Sequence, residues 1–156
     1  MRTLITSLFL VLLLGVTALA EAPQTSTGQT LYVPVYSNVY QGPRNKPFPL
    51  TVILSIRNTD FIHSILVKEA SYYDSNGNLV EQFLKEPINI GPMQSKRILV
   101  PESDERGGSG ANFVVRWSSE KDVNTPVVQG VMVSTASTQG VSFVVDGVVI
   151  RDNRKK

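Results

Sequence analysis

From Leu31 onward the chain is a series of short segments rich in Val, Ile, Thr and aromatic residues, separated by clusters of Gly, Pro, Asn and Asp. Within the segments, apolar positions recur with period two. In residues 112–117, Phe113, Val115 and Trp117 fall on one side while Asn112, Val114 and Arg116 fall on the other, which is a strand with one buried face. Thr51–Arg57 behaves alike, with Val52, Leu54 and Ile56 inward and Thr51, Ser55 and Arg57 outward. Ile53 breaks the rule, an apolar side chain in the outward phase. Residues 31–36, 65–73, 96–100 and 127–134 carry the same strand chemistry. Pro34 has no N–H to give a neighbour, which predicts an edge position for the first of these.

Two tight hairpins are predicted. Asn76-Gly77 between Tyr72-Tyr73 and Leu79-Val80 is the residue pair that supplies positive φ in such turns, and Asp146-Gly147 between residues 141–145 and 148–150 repeats it. No window after residue 20 holds a helical stripe over ten residues, and the best helical candidate, 118–123, is about one turn long. The pattern predicts an all-β protein, an Ig-like antiparallel β-sandwich of about seven to nine strands, with a closed barrel as the alternative.

Ahead of the strands, residues 1–20 combine Arg2, an uncharged apolar run and Ala18-Leu19-Ala20. That is the grammar of a signal peptide, and the run of about 16 residues is short for a membrane span. The reading divides the chain into a signal at 1–20, a flexible leader at 21–29, one β-sandwich domain at 30–151 and a basic tail at 152–156. The expected location is periplasmic or extracellular, with a mature domain that does not span the membrane.

Composition sharpens this in two respects. The chain has no Cys, so an exported domain of this size must hold together without disulfides, and Trp117 must pack without the bridge that backs the core Trp of many Ig domains. The net charge is +2 over 156 residues, but Arg151, Arg154, Lys155 and Lys156 supply the excess and the body is slightly acidic. No basic face is left for nucleic acid.

Candidate chemistry is sparse. Asp74, Asn76 and Asn78 alternate like a calcium loop, yet Gly77 precedes the third ligand position and the hairpin accounts for each residue. Gly107-Gly108-Ser109-Gly110 lacks the strand-to-helix flanks of a hydrolase elbow, and the single His, His63, lies far away in sequence. The loop reads either as a connection or as a run of backbone N–H groups facing a ligand. Asn58 and Asp60, in Arg57-Asn-Thr-Asp60, read as a turn that bonds its own backbone. The Tyr residues at 32, 36, 40, 72 and 73 offer an aromatic platform, although Tyr72 and Tyr73 must point to opposite faces. No catalytic set, metal site or cofactor is expected.

Together, YVPVYSNVY (32–40), LSIRNTD (54–60), ASYYDSNGNLV (70–80), GGSGANFVVRW (107–117), PVVQGVMV (126–133) and QGVSFVVDGVVI (139–150) resemble a bacterial family known as domain of unknown function 3124. The resemblance implies that Asn58, Asp60, Gly107, Gly108, Gly110 and Asn112 belong to the family signature, and it implies no activity. Position 129 is Gln where the family pattern carries an acid. A fold-level likeness to exported Ig-like modules and to the rhodopsin-transducer type of sandwich is analogy alone.

The sequence therefore points to a non-enzymatic binding or interaction module of the cell envelope. The binding candidates are Asn58, Asp60, Gly107, Gly108, Ser109, Gly110 and Asn112, and the expected partner is an unidentified envelope protein or small ligand. Two alternatives stand beside it. One is a periplasmic hydrolase using loop 107–112 or the acids Glu102, Asp104 and Glu105. The other is an oligomeric envelope component that associates through sheet edges, with Pro34 limiting one of them.

Overall fold

The computed structural model describes residues 23–134 and 140–153. The signal reading at 1–20 and the end of the tail at 154–156 lie outside them. Among the described residues there are twelve strands and no α-helix, and no helix is long and apolar enough to cross a membrane. The chain is an all-β sandwich.

One sheet has the order β12-β1-β9-β5-β6, formed by β12 (Val148–Asp152), β1 (Thr25–Pro34), β9 (Asn112–Asn124), β5 (Ile65–Tyr73) and β6 (Leu79–Gln82), with β7 (Ile88–Ile90) also on β5. The other has the order β11-β10-β4-β8, formed by β11 (Val141–Asp146), β10 (Val127–Ser134), β4 (Thr51–Arg57) and β8 (Ser95–Val100). β2 (Asn38–Gln41) and β3 (Lys46–Pro49) form a separate ribbon. All pairings are antiparallel. Short β2, β3, β6 and β7 carry the count beyond seven to nine.

The core lies between the inward phases of the two sheets. Leu31, Val33, Phe113, Val115, Trp117, Val67 and Tyr72 meet Val52, Leu54, Ile56, Val100, Val128 and Met132, all buried. Tyr72 packs on Phe113 with ring centroids 4.9 Å apart and on Phe83 at 6.4 Å. These large side chains, each worth about 1.5–3 kcal/mol on burial, replace the absent disulfide.

Several expectations are corrected. β1 begins at Thr25, inside the stretch read as a leader, because Ser26 and Gln29 bury themselves by bonding the Asp152 carboxylate at 2.9 Å each rather than by being apolar. β1 is not an edge strand: it pairs with both β9 and β12. Pro34 is tolerated because it is the last residue of β1, opposite Asn112, beyond the reach of β12. Residues 118–123 continue β9 as strand.

Asp146-Gly147 is not a hairpin turn. β11 pairs with β10 and β12 with β1, so the chain passes from one sheet to the other at Gly147, the kind of corner at which sandwich strands switch sheets. A Cβ at Gly147 would sit 3.0 Å from Val128 O and 3.1 Å from Val33 Cγ2, so any side chain at this corner would press on β10 and β1. The Tyr72–Leu79 hairpin forms as expected, with positive φ at Gly77 but not at Asn76.

Candidate functional site at one end of the sandwich

Two loop clusters occupy opposite ends of β9. The thirteen residues of that strand separate them by roughly 30–40 Å at about 3.3 Å per residue, so Asn58 and Asp60 do not converge with Gly107, Gly108, Ser109, Gly110 and Asn112.

At the N-terminal end of β9, the Gly-rich loop is a packed connection. Gly107 is buried, and a Cβ there would collide with Tyr72 Oη and lie 2.8 Å from Ala111 Cβ. Ser75 Oγ donates to Gly107 O at 3.1 Å and accepts Gly110 N–H at 2.9 Å, while Ser37 N–H and Oγ both reach Gly108 O at 3.1 Å. Burial pushes the Tyr72 phenol up; Ser37 opposes the rise, yet its hydroxyl donates to Gly108 O and Tyr72 Oη itself has no hydrogen-bond partner. Asn112 stands opposite Pro34 and Tyr73 in the sheet.

The hydrolase geometry is not assembled. Ser109 lies at this end and His63 at the other. Asp104 is bound by Arg106, whose Nε donates at 2.9 Å and which holds the carboxyl below its usual range, while Glu102 accepts Ser134 Oγ at 3.0 Å. Among the described residues no group of three or more His, Asp or Glu is placed to hold a metal. The Asp74 loop is closed by its own carboxylate, which accepts Asn76 and Asn78 N–H at 2.8 Å, and the Asn78 side-chain amide holds that carboxyl below its usual range.

The other end is built differently. Asn58, 2% exposed, places its amide nitrogen 2.8 Å from His63 O, 3.0 Å from Gly91 O and 3.1 Å from Ile90 O. Two N–H groups thus serve three carbonyls from two loops. Its Oδ1 accepts Asp60 N–H at 3.0 Å. Asp60 Oδ1 in turn accepts Ile62 and His63 N–H at 2.8 Å, and Oδ2 accepts Asn124 N–H at 3.1 Å. The His63 N–H, then that of Ile62, hold the Asp60 carboxyl down at about 2. Thr59 Oγ1 completes the knot by donating to Thr125 O at 2.9 Å.

This knot presents two large apolar side chains to solvent. Phe61 and Ile62 are each 77% exposed, and Met93 is 60% exposed on the neighbouring loop, whose N–H donates to Asp60 O at 3.1 Å. Met93 itself has φ +57°, an uncommon conformation for a long side chain, held by this contact. An apolar tip on a scaffold held by so many hydrogen bonds is pre-organised: burying three such side chains is worth roughly 4–9 kcal/mol before the cost of association. Sequence reasoning found the scaffold residues and missed the tip. The signal was the dipeptide Phe61-Ile62 placed directly after a turn, where no strand phase gives either residue a core to face.

Beside the tip runs a polar groove of about 600 Å³, lined by His63, Ser64, Lys68, Asn89, Ser118 and Glu120 among others. Two bulges form it. Lys68 is an extra residue in β5, where Val67 pairs with Trp117 and Glu69 with Arg116, and in β9 the four residues Ser119–Asp122 stand against Thr27 alone, between the partners of Gly28 and Ser26. Ser119 Oγ ties the second bulge to Ser64 O at 3.2 Å. Bulges re-aim side chains, and here they turn Lys68, Glu120 and Lys121 towards one concavity. His63 Nδ1 lies 3.4 Å from Asp60 Oδ1, joining groove and knot.

The five Tyr residues do not form one platform. Tyr72 is core, Tyr36 stacks edge-on to Phe143 at 5.6 Å, and Tyr40 is exposed on the ribbon.

A sequence profile described as "Protein of unknown function (DUF3124)" matches residues 28–150. No curated protein matches the chain. Among solved structures, that of Thermotoga maritima 1070 is similar, at 12% identity over 77% of this chain and 92% of that one, with a TM-score of 0.46.

Proposed function

The chain belongs to the DUF3124 family, and from that premise we propose that this member is an exported, non-enzymatic binding module of the cell envelope that docks through Phe61, Ile62 and Met93. The observation that carries the reading is the exposure of Phe61 and Ile62 on a turn held by the Asn58 and Asp60 side chains, with Met93 exposed on the loop bonded to it. Buried loops of this kind are stabilising; an exposed apolar tip costs solubility unless something covers it. The adjacent groove, with Lys68, Lys121 and several hydroxyl and amide side chains, supplies a polar rim. That arrangement of apolar centre and polar surround is the anatomy of a protein-docking surface.

Export is part of the proposal and rests on residues 1–20. The mass of the protein isolated from expressing cells tests it: cleavage after Ala20 is expected, and an intact N-terminus contradicts it.

Docking is tested with Phe61→Ser and Ile62→Ser together. The double variant folds with unchanged stability and loses its partner from envelope fractions, whereas retention of the partner refutes the assignment of the tip.

A further inference from the structure

We infer that the outer face of the β11-β10-β4-β8 sheet is a self-association surface whose occupant is a second copy of this chain, related by a twofold axis running along the strands. The register places Val144, Val131, Ile53 and Leu99 in one row across all four strands, in the outward phase. Val144 and Leu99 are 56% and 55% exposed, with Val131 and Ile53 half-buried between them. An antiparallel sheet with a solvent-facing side carries polar residues there; this one carries an unbroken apolar row. Ile53, the one apolar outward position in its strand, belongs to it.

The adjoining row identifies the occupant. Asp146, Gln129, Ser55 and Arg97 are its members in order across the sheet, so one end is acidic and the other basic. Asp146 accepts Gln129 Nε2 at 2.8 Å and remains exposed, as does Arg97. A twofold axis parallel to the strands lays β11 of one copy over β8 of the other. Asp146 then faces Arg97 of the second copy, Val144 faces Leu99 and Val131 faces Ile53, the self-complementarity that an isologous interface demands. Edge-to-edge pairing is a poorer alternative, since edge strand β8 presents Lys96 and Arg97, residues that discourage strand addition.

The face spans four strands about 4.8 Å apart and some five residues of each, roughly 300–400 Å² per copy. That is below the ~800 Å² per partner of a standard interface, so the dimer is weak and concentration-dependent. Because the axis runs along the strands, both Phe61 tips point the same way, giving two docking sites side by side.

Sedimentation velocity of the protein as isolated from expressing cells tests the inference, run from about 5 μM to about 500 μM to bracket a weak association. A dimer fraction that rises across this range is expected. Ile53→Lys abolishes it, Asp146→Arg and Arg97→Glu each weaken it about tenfold, and the two charge reversals combined restore it. All four substitutions lie on the outer face, and far-UV circular dichroism confirms that each variant is folded; Leu99→Lys repeats the Ile53 test at a more exposed position. A monomer throughout the range, association indifferent to Ile53→Lys and Leu99→Lys, or a double reversal no better than the singles overturns the inference. None of these outcomes bears on docking through Phe61, which a monomer can perform.

Discussion

The Asp60 carboxylate accepts the backbone N–H of Asn124 at 3.1 Å, across 64 residues of sequence. One side chain thereby ties the β4–β5 turn to the far end of the longest strand, and the exposed Phe61-Ile62 pair stands on that tie. The chemistry that makes Asp60 look like a site residue is spent on holding its neighbours outward.

The knot sets an acid limit on stability. Because the folded Asp60 pKa lies at about 2, against 3.8 for the ordinary group, its contribution is fully present above 3.8 and is lost as pH falls through about 2. Denaturant midpoints measured from pH 5 to pH 2 should fall over that interval. Asp60→Asn should be less stable at neutral pH and flatter below pH 4.

Asn58→Ala should destabilise by about 3 kcal/mol, since it leaves the carbonyls of His63, Ile90 and Gly91 short of a donor in a buried site. Urea unfolding monitored by Trp117 fluorescence reads this directly. A loss under about 0.5 kcal/mol would mean that water replaces the amide without cost.

Tyr72→Phe should be neutral or stabilising by up to about 1 kcal/mol, because the hydroxyl it removes is buried without a partner. Gly107→Ala should cost about 2 kcal/mol or more, since its methyl meets that same hydroxyl. The two substitutions combined should cost less than the sum of their separate effects. Additivity would place the strain elsewhere.

Much of the fold was legible because its strands alternate cleanly: Ile65–Tyr73 and Val127–Ser134 stand as strands with the bounds their patterns suggest. What was illegible depends on partners distant in sequence. Ser26 and Gln29 are polar and buried only because Asp152 arrives from the other end of the chain. Asp146-Gly147 looks like a hairpin locally and becomes a corner because β10 and β1 each offer an unpaired edge. In the candidate site, the turn-forming role of Asn58 and Asp60 was readable from their short polar side chains. The outward apolar tip was not, because exposure is a property of the assembled fold and Phe61-Ile62 belongs to no periodic segment.

Phe61→Ser with Ile62→Ser should alter unfolding free energy by no more than about 0.5 kcal/mol, as expected for exposed positions away from caps and core. Thermal unfolding of the variant beside the parent chain checks this. A large loss would show the tip to be part of the packing and not a docking surface.

The most direct measurement is a photo-crosslinking scan in living cells, with the reactive side chain placed in turn at positions 61, 62 and 93, and at positions 40 and 79, which also carry exposed apolar side chains, as controls. The account predicts one discrete adduct shared by positions 61, 62 and 93 and absent from 40 and 79. No adduct at the tip, or the same adducts at all five positions, would contradict it.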